Sequence, residues 1–116
     1  MNMRKELEKF IQSRHILETS QEMFKMNFDS YREEEQEEFD RHFGVFREEL
    51  LEAYIQSVQF VLGKYPKWFA VSGSPDWDEE YVAVVIKMVY NEKEIGDYKI
   101  CFDRDGEVID DYFVMY

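Results

Sequence analysis

The chain has 116 residues and carries 14 Lys+Arg against 26 Asp+Glu, a formal net charge of -12. That charge repels nucleic acid and anionic membrane and attracts basic surfaces. A 45% hydrophobic and 17% aromatic composition excludes a disordered acidic tail, so the acidity is expected on a folded body of one domain, residues 1–116.

In chain order, Met3, Leu7, Phe10 and Ile11 recur at helical spacing, with Leu17 continuing the stripe. The charged N-terminus has no apolar signal core, and no apolar run is long enough to span a bilayer, so a cytoplasmic protein is expected. Thr19 with Glu22, and Ser30 with Glu33, stand in the relation of capping boxes, each a candidate helix start. The run 31–40 then packs six carboxylates against one cation, Arg32. Tyr31, Glu35, Phe39 and Phe43 (or His42) share one stripe, which predicts a helix over 31–43 ending at Gly44. On that helix Glu33 with Glu37 and Glu34 with Glu38 would be like-charge i,i+4 pairs.

Leu51, Tyr54, Ile55, Val58, Val61 and Leu62 give the strongest helical spacing in the chain and predict a core helix over 45–62. Phe46 and Leu50 widen its face, Gly63 would cap it and Pro66 would end it. Beyond Pro66 the pattern becomes β. Residues 67–72 read as a short aromatic strand and 74–76 as a turn. Residues 81–90 read as a central strand, apolar on both faces. Residues 91–94 read as a loop. Tyr98, Ile100 and Phe102 alternate with Asp97, Lys99, Cys101 and Asp103, predicting one buried and one wet face. Asp105-Gly106 is a hairpin turn, and the last strand runs over 108–116. The expected fold is α+β: three or four N-terminal helices (a helical half, 1–63) on one face of a four-stranded antiparallel β-meander (a sheet half, 64–116).

The charge is uneven. Residues 1–30 are balanced, with five bases and five acids, whereas 31–60 hold three bases and nine acids and 61–116 six and twelve. Two acidic centres result: Glu33, Glu34, Glu37, Glu38 and Asp40 on the 31–43 segment, and Asp76, Trp77, Asp78, Glu79 and Glu80 in a turn after Pro75, of which Asp76, Trp77, Asp78 and Glu79 are the candidate contacts. Tryptophan is enriched among interface anchors, and acidic surroundings would steer it onto a basic partner. The bland alternatives are a solvated helix face and a tryptophan folded over the sheet edge.

Catalytic patterns are absent from the sequence. His15 and His42 show no zinc spacing, and Cys101 is a lone strand cysteine, so no metal or cofactor is expected. Asp103-Arg104-Asp105-Gly106 hints at a calcium loop, but the twelfth position, where a bidentate Glu belongs, is Val114. The five glycines are dispersed at breaks, so no phosphate-binding loop exists. These features favour a non-catalytic inhibitor of a basic nucleic-acid-processing enzyme, with no direct nucleic-acid or membrane binding, as a monomer or weak homodimer. An immunity protein against a bacterial nuclease toxin is one setting; a phage-encoded anti-CRISPR or other anti-defence inhibitor is another. A third reading is a small-ligand module with Trp68, Phe69, Tyr81, Tyr98 and Tyr112 around an apolar pocket.

Overall fold

A computed structural model describes residues 2–63 and 79–116, with the backbone alone at positions 63 and 79. Three helices, α1 (Met3–Ser13), α2 (Ile16–Glu34) and α3 (Gln36–Phe43), precede four strands, β1 (Leu51–Gly63), β2 (Glu79–Tyr90), β3 (Lys93–Phe102) and β4 (Val108–Met115). The strands form one antiparallel sheet in the order β1-β2-β3-β4, so the fold is α+β as the sequence implied. The expected strand over 67–72 and turn over 74–76 lie outside the described residues.

The helix expected over 45–62 is instead a single turn of 3-10 helix (Glu48–Leu50) followed by β1. The cause is a β-bulge. Ile55 pairs with Ile86 and Ser57 with Val85, leaving Gln56 as an extra residue. One inserted residue turns the i,i+2 spacing of a strand face into i,i+3. Ile55 and Val58 therefore face the same core, three residues apart, and imitate a helical stripe. Tyr54 and Leu62, expected in that core, are half-exposed.

Each helix begins and ends for local reasons. The Asn2 side chain caps α1 by accepting from the Lys5 amide at 3.1 Å. His15, at φ 53°, makes the left-handed corner into α2, so Thr19 lies inside a helix and starts none. Glu35 (φ -118°, ψ 49°) breaks the acidic run between α2 and α3. The expected 31–43 helix is thus two elements, and the Glu33–Glu37 and Glu34–Glu38 pairs do not share one helix. The break relieves carboxylate crowding and sets Glu37 and Glu38 in the first turn of α3, at its positive end. It also lets α3 fold back so that Phe39 meets Tyr31 and Phe28, with ring centroids 5.9 and 5.6 Å apart.

The core has two clusters on one sheet face. Ile16, Val84, Ile86, Tyr98, Ile100 and Phe102 form the first, beneath α1 and α2. Phe28, Phe39, Phe43 and Met88 form the second, where α2 and α3 cover the start of β1 and the end of β2. The alternation of Tyr98, Ile100 and Phe102 toward the core is as the sequence predicted; all three are fully buried. The opposite face is drier than expected. Ala83, Val85, Lys87 and Cys101 are buried there, with Tyr116 over Lys87 and Tyr112 beside Lys99. Gly96 is required by close approach: a Cβ there would lie 2.6 Å from the Val114 carbonyl oxygen. The 91–94 loop is a two-residue turn, Asn91 and Glu92 both having positive φ. In the β3–β4 turn Gly106 sits at φ 83°, and the Asp103 carboxylate accepts from the amides of Asp105 and Glu107. Among the described residues no helix is long and apolar enough to cross a membrane.

Candidate functional site

The end of α2, the start of α3 and the connection to β1 enclose an open groove of about 880 Å³. It is lined by Asp29, Arg32 and Glu33 from α2, Gln36, Phe39 and Asp40 from α3, and Gly44, Val45 and Phe46 beyond. Its geometry follows from the aromatic core below. Phe39 and Phe43 stack at 4.4 Å, Phe46 packs on both at 5.2 and 5.4 Å, and Phe46 stacks on Tyr90 at 5.6 Å. The Tyr90 hydroxyl fixes the connection by accepting from the Arg47 amide at 2.8 Å. Phe46 is therefore held as a floor, while Val45 stands 90% exposed at the lip.

Arg32 lies on that floor. Its guanidinium carbon is 4.7 Å from the Phe46 ring centre and 5.8 Å from that of Phe39. The stacking shows that the floor accepts a planar cation. Asp29, Glu33 and Asp40 line the same groove, so acidic residues and Arg32 share it with the aromatic base.

The structure divides the residues singled out from sequence. Glu33 and Asp40, seven positions apart, converge on the groove. Glu34 ends α2 and Glu37 lies in the first turn of α3; both are exposed and neither lines the groove. Glu38 is half-buried beside Tyr31, whose phenol is pushed up to about 12 by burial and then by the Glu38 charge. Asp76, Trp77 and Asp78 lie outside the described residues, as does the side chain of Glu79, whose backbone opens β2. Sequence reasoning missed Asp29, Arg32, Gln36 and Phe46. Asp29 was within reach, since it stands three and four residues before Arg32 and Glu33 on one helix. Phe46 had no local signal, because it was assigned to a helix that does not form.

Three other polar groupings bear on chemistry. Tyr98 donates to Asp111 Oδ2 at 2.6 Å, and Asn27 Nδ2 donates to the same oxygen at 2.7 Å, tying α2 to β3 and β4. Burial and then the Asp111 hydrogen bond push the Tyr98 phenol well above its usual range. On the far face the Lys87 ammonium meets the Tyr116 hydroxyl and, at 3.0 Å, Asp97; these two partners raise it and keep it charged. The buried Cys101 thiol is also raised, by burial first and by Asp110 next, which disfavours the nucleophilic thiolate. Among the described residues no three of His, Cys, Asp and Glu group as metal ligands would. Of the residues expected around an apolar pocket, Tyr98 is in the core, while Tyr112 is half-exposed on the other face of the sheet. Trp68 and Phe69 lie outside the described residues.

Comparison with protein families, curated proteins and solved structures found no match.

Proposed function

We propose that this chain is a small, acidic, non-catalytic inhibitor that acts in the cytoplasm by binding a basic nucleic-acid-processing enzyme. The observation that carries the reading is the groove, which three acidic residues, Asp29, Glu33 and Asp40, line beside aromatics covered by Arg32. With the floor covered by Arg32, an arginine or lysine of a partner would be received by the acidic rim, through charge-assisted hydrogen bonds. The net charge of -12 steers such a partner toward the acidic surface. An enzyme that grips phosphates presents the matching cations, and carboxylates seated in its cleft block the substrate.

An immunity protein that protects its own cell from a nuclease toxin and an anti-defence inhibitor use identical surface physics. The immunity setting is preferred, because a folded body with a discrete groove suits one cognate enzyme better than a uniformly charged surface does.

The test is affinity capture from the native host, identification of the bound protein by mass spectrometry, and titration of that enzyme's activity. A basic enzyme silenced at a one-to-one ratio is the expected outcome. Glu33→Lys with Asp40→Lys should weaken the complex, and rising salt should slow association as the screening length falls from about 10 Å at 0.1 M to about 3 Å at 1 M. A captured enzyme that works equally well when saturated would overturn the inhibitor reading.

A further inference from the structure

Among the described residues β1 and β4 are the two edges of the sheet, and they are built differently. β4 carries adjacent carboxylates, Asp110 and Asp111, of the kind that discourage strand addition. β1 runs 13 residues with one carboxylate, Glu52, no basic residue and no proline. In a chain that is 34% charged, this is a stretch of unusually low self-repulsion. The bulge at Gln56 divides β1, and pairing with β2 is regular beyond it. On the helix-facing side of that second part, Phe60 and Leu62 are 54% and 52% exposed. The helices pack instead on the cluster that Ile55 and Val58 join.

We propose that β1 pairs antiparallel with β1 of a second copy, about a two-fold axis through Phe60. Phe60 then faces Phe60 of the other copy, Val58 faces Leu62, and Gln59 faces Val61. Opposed side chains in such a pair have Cβ atoms about 4.5–5.5 Å apart, so an aromatic pair forms at the axis with an aliphatic pair on either side. Glu52 lies roughly 26 Å from the axis at about 3.3 Å per residue, so the two copies of this charge are not opposed. A two-fold interface uses the same patch on both copies, and an uncharged apolar patch is complementary to itself. A basic partner would find few carboxylates here. The grooves sit at the other end of β1 and stay open, so the dimer presents two of them in one continuous eight-stranded sheet.

Sedimentation velocity from about 1 µM to about 1 mM, the range in which a small interface gives a measurable Kd, tests the pairing. The wild-type chain should shift from monomer to dimer across the series. Phe60→Lys and Phe60→Glu should each weaken association at least about tenfold, because like charges then meet at the axis. Mixing the two variants should restore it, and Val45→Lys, at the groove lip, should leave it unchanged. Phe60→Cys should give a disulfide-linked dimer on mild oxidation, since facing positions place Cα atoms within the roughly 4.4–6.8 Å that a disulfide spans. A wild-type chain that stays monomeric throughout, a mixture that fails to associate, or a Phe60→Cys chain that does not cross-link would each overturn the proposal.

Discussion

Replacing Asp111 by alanine tests whether the fold depends on the polar link between α2 and the sheet. Asp111 sits on the helix-facing side of β4 because its strand partner there is Ile100, a core residue. Its Oδ2 accepts from the Tyr98 hydroxyl at 2.6 Å and from Asn27 at 2.7 Å. Tyr98 is fully buried, so removing the carboxylate leaves its hydroxyl, among the described residues, with the half-buried Asn27 side chain as its remaining partner. An orphaned buried donor costs about 1–3 kcal/mol, and a hydrogen bond to a charged group contributes roughly 1.5–3 kcal/mol. Counting one of each, with partial recovery by water at Asn27, Asp111→Ala should destabilise the fold by about 2–4 kcal/mol. Tyr98→Phe removes the donor and leaves Asp111 with Asn27 and solvent, so it should cost only about 0.5–1.5 kcal/mol. The double variant should unfold no more easily than Asp111→Ala alone, because the group that was stranded is gone. Urea unfolding followed by circular dichroism gives all three values, against a total stability of about 5–15 kcal/mol for a domain of this kind. If Asp111→Ala costs less than Tyr98→Phe, the triad does not couple the helix to the sheet.

Deleting Gln56 should be tolerated, with a loss of less than about 1.5 kcal/mol, because it converts a bulge into a regular ladder without moving Val58 or Phe60 to the other face. Deleting Gln59 reverses the facing of Phe60, Val61 and Leu62, but Phe60 and Leu62 are already half-exposed, so it should lower the melting temperature only modestly. Gly96→Ala should cost about 1–3 kcal/mol in thermal unfolding, because the Val114 carbonyl is backbone and yields little. Phe39→Ala should cost about 3–5 kcal/mol, as Phe39 is 1% exposed and supports both α3 and the groove floor. Tyr98 and Tyr31 have raised folded-state values, so the native state retains two protons that the unfolded chain releases above its ordinary phenol value of 10.0. Their contribution to stability is thus complete below that pH and is lost as pH rises through the folded values. Ultraviolet titration of phenolate should show both tyrosines ionising late, and Tyr98→Phe should flatten the alkaline loss of stability.

The sequence by itself determined what local chemistry and simple period decide. Asp105-Gly106 could only be a tight turn, since its glycine takes a φ that side chains resist. Tyr98, Ile100 and Phe102 announced their burial because β3 keeps period two beyond the irregularity at Ile95. The acidic excess and its concentration at 31–40 were also plain, because charge adds without regard to fold. Tertiary structure alone decided the rest. The bulge at Gln56 gave β1 the spacing of a helix, and the choice between the two was made by pairing with β2, a contact between residues distant in the chain. The break at Glu35 was hidden because helix propensity favours continuing through a glutamate run. Folding α3 back buries Phe39 and Phe43 on Phe28, and that burial outweighs one lost helical turn. The groove depends on both outcomes: without the break Asp40 does not return to face Glu33, and without the strand Phe46 does not become its floor.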